Sequence, residues 1–182
     1  WGKDKRFDRD MAALLKQAID ETKGSLLAFL PGEGEIRRVA SILGHQPGLE
    51  IMPLYGAMPF AEQQKVMRAS TGRRLVLATS IAETSLTLPD IRVVVDGGLA
   101  RRARFDPGSG MSRLVTERVS RAEATQRAGR AGRVAEGVCY RLWTKGEEGA
   151  LPAFPPAEIE TADLIAMVGD PNVVILTPGS MN

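Results

Sequence analysis

The chain has 182 residues, of which 43% are hydrophobic and 25% charged, with a formal net charge of +2. That is enough apolar material for one globular domain and the beginning of another, and too little charge imbalance to name a polyanionic partner by itself. A single cysteine, Cys139, and a single histidine, His45, exclude an intrachain disulfide and the usual zinc frameworks, and no apolar run reaches the about 20 residues that cross a bilayer. No metal site and no membrane partner are expected, and a reducing, cytoplasmic setting fits best. The opening Trp1 and the polar lead-in before Phe7 predict a piece of a longer polypeptide.

In chain order, Met11, Leu14, Leu15, Ala18 and Ile19 recur at helical spacing and predict an amphipathic helix over residues 8–22. Leu26 to Leu30 is a short continuous apolar run closed by Pro31-Gly32, as in a strand buried on both faces. The pattern then repeats, with helices predicted over 35–43 and 59–68 and strands over 51–54, 75–78 and 93–95. Alternating strands and helices imply an α/β fold with a mainly parallel sheet and helices on both faces. Ligands of such sheets gather at the carboxyl ends of the strands. The loops there run from Pro31 to Gly34, Tyr55 to Met58 and Thr79 to Thr87.

The following segment differs. Residues 101–105 and 111–119 flank the turn Asp106-Pro107-Gly108-Ser109-Gly110 and predict an inserted β-hairpin. Ser120-Arg121-Ala122-Glu123 is a capping-box pattern that starts a helix, and residues 138–143 read as the closing strand. The proline content rises beyond Gly149, which places a domain boundary there, with 1–149 as the main domain and 150–182 as a linker or the start of another region.

Between Arg101 and Arg133 stand nine arginines and three acids, Asp106, Glu117 and Glu123. Arginine presents a planar fork suited to phosphate. The most informative run is Gln126-Arg127-Ala128-Gly129-Arg130-Ala131-Gly132-Arg133. On a helix, Gln126, Arg130 and Arg133 share one face and Arg127 points about a quarter-turn away. Gly129 and Gly132 would each cost roughly 1 kcal/mol in a helix, a cost that close approach of a phosphate explains. Phosphoryl transfer needs cations against the transferring oxygens and a group that orients water. Gln126 is therefore expected to orient water, and Arg130 and Arg133 to bind the γ-phosphate.

This run resembles motif VI of superfamily 2 helicases. Ala78-Thr79-Ser80-Ile81-Ala82-Glu83-Thr84-Ser85-Leu86-Thr87 is similar to motif V of their DEAH-box branch, Phe29 to Ile36 to motif IV, and Pro53-Leu54-Tyr55-Gly56 to the segment after it. Together these cover residues 26–143 and look most like the bacterial type of DEAH-box helicase. The resemblance implies a three-layer RecA-like domain of the P-loop NTPase type, the second of a pair, closing over ATP with Mg2+ held mainly by a first RecA-like domain of the same polypeptide.

The resemblance also implies roles. Thr79 and Thr87 would contact the nucleic-acid backbone, Ser80 would stand where relatives carry Asn, and Gly32 would form a hook against the strand. Ser85 would sense the nucleotide. Met67 occupies the position after a Gln-Gln pair where eukaryotic relatives place a ring on adenine, and Asp90 lies one step past the position of their ribose-binding acid. The hairpin would separate strands or guide one. The partner would be single-stranded RNA or DNA, and the protein a monomeric motor. No G-x-x-x-x-G-K-[ST] loop and no D-E-A-H segment occur, so this domain alone is not expected to hydrolyse ATP. A scaffold that binds nucleic acid without a motor, and a double-stranded DNA translocase, are the competing readings.

Overall fold

The computed structural model describes residues 2–68, 71–83, 88–132, 136–154 and 173–177, with side chains from residue 5 onward. Helix α1 (Gly2–Glu21) leads into β1 (Ser25–Phe29), followed by α2 (Glu33–Leu43), β2 (Leu49–Leu54), α3 (Phe60–Met67) and β3 (Arg73–Ala78). A single 3-10 turn at Ser80–Ala82 precedes β4 (Ile91–Asp96). The hairpin strands β5 (Leu99–Asp106) and β6 (Met111–Arg118) then lead to α4 (Arg121–Gly129), β7 (Gly137–Arg141), α5 (Lys145–Glu148) and β8 (Val173–Leu176).

Six strands form one sheet in the order β2-β3-β1-β4-β7-β8, all paired in parallel. Central β1 is buried along its whole length, which is why its sequence is a continuous apolar run rather than an alternation. Alternate residues face opposite layers. Leu26, Ala28, Leu75, Leu77, Val93 and Val95 pack under α1 and α2. Leu27, Phe29, Val76, Ala78, Val94 and Cys139 face Val66 of α3 and Ala128 of α4. Pro53, which cannot donate to a ladder, sits on edge strand β2.

The predicted elements are present, with three corrections. The lead-in before Phe7 is helical: α1 begins at Gly2, and an Arg6–Asp10 pair one turn apart lies along it. The end of α1 is closed by Arg73, whose Nε donates to the Gly24 carbonyl at 2.7 Å and whose Nη2 donates to that of Thr22 at 2.8 Å. The strand at 138–143 does not close the sheet, because β8 pairs with β7 outside it. The sheet therefore continues past the boundary expected at Gly149: Val173 and Ile175 pack against the second core layer, and the backbone N–H groups of Arg121 and Ala122 donate to the carbonyls of Pro152 and Ala153.

Strand order explains where a site can form. The chain leaves β1 toward β2 on one side and leaves β4 toward β7 on the other, so the crevice of this doubly wound sheet opens between the carboxyl ends of β1 and β4. Gly97 and Gly98 turn the chain there into the hairpin. A side chain at Gly97 would lie 2.9 Å from the Phe29 carbonyl, and Gly98 has φ +79°.

Candidate functional site

The loops at the carboxyl edge are bonded to one another. The Leu30 N–H donates to the Ala78 carbonyl at 2.8 Å, the Thr79 N–H to that of Leu54 at 3.1 Å, and the Gly97 N–H to that of Phe29 at 3.1 Å. Gly32 and Thr79, expected on a nucleic-acid face, therefore lie on adjoining loops. Gly32 is buried in extended backbone at the start of α2, and a Cβ there would meet Arg101 Nη1 at 2.1 Å. Arg101 holds that place because both ends of its fork donate to Glu35, at 3.2 and 2.7 Å. Burial alone would raise the Glu35 carboxyl, but hydrogen bonds from Arg101 and the charges of Arg101 and Arg38 leave it below the ordinary value of 4.5.

Thr79 and Ser80 are half-buried. The Thr79 side chain makes no capping bond to the turn it opens, whereas Ser80 Oγ accepts from Arg127 Nη2 at 3.1 Å. Ser85 and Thr87 lie outside the described residues, as does Arg133.

Helix α4 begins as its sequence predicts. Ser120 Oγ accepts from the Glu123 N–H at 3.1 Å and the Glu123 carboxylate accepts from the Ser120 N–H at 2.8 Å. It ends at Gly129, so the expected helical face uniting Gln126, Arg130 and Arg133 is not formed as one helix. Arg130 keeps helical dihedrals as the cap, and Ala131 and Gly132 continue in a turn whose N–H groups donate to the Ala128 and Gly129 carbonyls at 3.1 and 3.4 Å. Gly129 is thus the last helical residue and Gly132 lies beyond the end, both without the positive φ of a glycine cap. Gln126 is exposed at this end, and Arg130, nearly buried, donates from Nε to the Glu83 carbonyl at 2.6 Å.

Arg74 links the surroundings of Met67 and Asp90 at another corner. Fully buried Arg74 donates to both Asp90 oxygens at 2.8 and 2.9 Å and to the Val66 carbonyl beside Met67. Burial raises the Asp90 carboxyl, yet the hydrogen bonds and charge of Arg74 hold it below its usual range. Asp90 is thus committed to a core arginine, which is a structural duty the sequence does not reveal.

The basic stripe is also corrected. Arg101, Arg102, Arg104, Arg118 and Arg127 each pair with a carboxylate, of Glu35, Glu123, Glu117, Glu147 and both Glu83 and Asp96 respectively. Four of those acids lie outside the stretch that was counted or at its margins, so the excess of arginine along the chain is not an excess in space. Arg113 and Arg121 are exposed cations without a carboxylate partner among the described residues. Residues that sequence reasoning passed over are Glu83, Asp96 and Arg127. Asp96, a lone acid ending the apolar strand β4, was the available signal.

A mainly parallel RecA-like sheet, with the Gly32 loop, a Thr-Ser turn, an inserted hairpin and an arginine-glycine helix end gathered at one edge, defines the second RecA-like domain of a helicase. The helicase conserved C-terminal domain matches residues 10–135, and the chain belongs to that family. It is 46% identical over 167 residues to the ATP-dependent RNA helicase HrpB of Escherichia coli (strain K12), covering 90% of this chain and 21% of that protein. The ATP-dependent RNA helicase HrpA of the same organism is 40% identical over 167 residues, covering 88% of this chain and 13% of that protein. A crystal structure of the Escherichia coli DEAH/RHA helicase HrpB aligns with a TM-score of 0.79 at 44% identity, covering 87% of this chain and 21% of that one. The chain spans about a fifth of the length of HrpB.

Proposed function

We propose that this domain is the second motor half of an ATP-dependent DEAH-type RNA helicase, working as a monomer on single-stranded RNA in a cytoplasmic setting. In this reading Gln126 orients the attacking water, Arg130 and Arg133 face the γ-phosphate, and Ser85 senses the nucleotide. Met67 and Asp90 border the base and ribose. Gly32, Thr79, Ser80 and Thr87 hold the strand by its backbone, a contact that carries no sequence information. The first RecA-like domain supplies the phosphate cradle and the Mg2+ ligands.

The observation that carries this reading is the bond from Arg130 to the Glu83 carbonyl, at 2.6 Å. It joins the end of α4, which would meet phosphate, to the turn after Thr79, which would meet the strand. A passive scaffold has no use for that junction. The exposed Gln126 amide beside it suits a water and an anionic group. The names of the HrpB and HrpA relatives favour RNA over DNA.

The test is ATP turnover by the full-length protein carrying Arg133→Ala. Turnover falls by about 10³-fold or more, the scale of a lost arginine finger, while nucleotide binding is largely kept. Unchanged turnover removes the proposed role.

A further inference from the structure

Arg127 follows the exposed Gln126 in α4, yet it has no solvent exposure at all. Its guanidinium stacks on Phe29 at the end of β1, 4.7 Å from the ring centre. Nε donates to Glu83 at 2.7 Å and Nη1 to Asp96 at 2.8 Å. Nη2 donates to Ser80 Oγ at 3.1 Å, and both Nη atoms reach the Leu99 carbonyl, at 3.3 and 3.4 Å. One planar group therefore touches the turn after Thr79, the end of β4, the first residue of the hairpin and the end of β1.

A core ion pair that only held the sheet together would be poorly chosen for the task. Replacing such a buried pair by well-packed apolar residues is often neutral or stabilising. This cluster also sets two carboxylates around one fork, and Asp96 Oδ2 is buried without a hydrogen-bond partner among the described residues. Buried acceptors are rarely left so. The vacant oxygen lies on the same carboxylate that Nη1 already holds, so the fork engages only one side of Asp96. A contiguous bonded unit that joins the end of α4 to the loops beside it is the kind of physical connection through which two sites are coupled.

We propose that Arg127 is the positioning residue that transmits movement of the nucleotide-facing end of α4 to the strand-facing turn at 79–83 and to the base of the hairpin. It touches neither ligand and acts through Glu83, Ser80 and the Leu99 carbonyl. The proposal rests on the motor reading above and adds to it the route by which the two ligands sense each other.

The experiment measures, in the full-length protein, the affinity for an oligouridylate strand with and without a non-hydrolysable ATP analogue. In the unmodified protein the ratio of the two affinities falls in the about 5–150-fold range of ordinary coupling. In Arg127→Lys, which keeps the charge and loses the fork, the ratio drops to within about twofold of one, while each ligand alone binds as before and the melting temperature reports a folded protein. A folded Arg127→Lys with the unmodified ratio overturns the proposal, and so does a loss of coupling that merely follows loss of both separate affinities. A ratio of one in the unmodified protein brings down the motor reading itself, a different result. Should Arg127→Lys not fold, hydrogen exchange on the unmodified protein decides: the analogue alone alters protection at residues 80–83 and 99–102, and no change there overturns the proposal.

Discussion

Arg101, on the first strand of the hairpin, grips Glu35, on the first turn of α2, with both ends of its fork, and in doing so fills the space that a side chain at Gly32 would need. The Gly32 loop and the hairpin are thus shaped by one ion pair. Arg38 extends it, lying 3.5 Å from Glu35 and 2.5 Å from buried Asp8 of α1. Glu35→Gln is expected to cost about 1–3 kcal/mol, because the buried side loses hydrogen bonds to charged groups while Arg101 is partly solvated. Thermal unfolding checks this, with a fall of about 2–4 °C per kcal/mol for a domain of this size. Gly32→Ala should produce a similar loss by displacing the Arg101 fork.

Asp90→Asn is expected to destabilise the domain by about 3–5 kcal/mol, since it leaves the Arg74 guanidinium buried and half-paired. Denaturant unfolding of the isolated variant, with no nucleotide present, is the measurement. A large loss there identifies the fold-supporting duty of Asp90 independently of any contact to ribose.

Acid should weaken this domain through named groups. Glu35, Glu123 and Asp90 are each pushed up by burial but pulled further down by their arginine partners, so their folded values lie below the ordinary 4.5 for Glu and 3.8 for Asp. Their stabilisation is complete above those ordinary values and is lost as pH falls through the folded ones. Glu83 has the opposite sign: burial raises it above 4.5 against the pull of Arg127, so the folded state binds its proton more readily and stability declines as pH rises through that interval. Melting temperature against pH should therefore drop steeply below pH 4.5, and pairing Glu35→Gln with Glu123→Gln should flatten that limb. Glu83→Gln should instead flatten the decline on the other side.

Strand binding by the full-length protein should depend on salt through few of the hairpin arginines. Arg113 is exposed and carries no carboxylate partner among the described residues, so Arg113→Gln lowers the log–log salt slope by about 1 if it meets a phosphate. Replacing Thr79 and Thr87 together should weaken binding at every salt concentration with little change of slope, as befits neutral donors. Equal affinity for the double variant and the unmodified protein would remove those contacts from the interface.

The layers of this fold were legible because their causes are local. A doubly covered strand must be apolar throughout, as at Leu26 to Leu30, and a capping box such as Ser120 with Glu123 announces its helix within four residues. The arginine-glycine run and the Thr-Ser turn were legible as motifs. Pairing across the sheet was not. Nothing near Arg127 in the chain points to Glu83 or Asp96, which are 44 and 31 residues away, and nothing near Arg101 points to Glu35, 66 residues away. Charge counted along the chain therefore overstated the charge available in space. The end of α4 was less legible: glycine tolerates both continuation and termination of a helix, and the close approach of Ala131 to Gly137 just beyond that end involves a residue of the next strand.

Strand β8 reaches the sheet only after the chain has left β7 and α5, and it lies at the outer margin with Val174 open to solvent. Cutting the polypeptide after Gly149, where composition suggests a natural seam, would strip this cover from β7 and bare the backbone donors and acceptors of Gly137 to Tyr140. A raw β-edge of that kind invites pairing with a neighbouring molecule. A shortened version would thus be prone to aggregate, through a flaw made at the point of excision and unrelated to the quality of its interior.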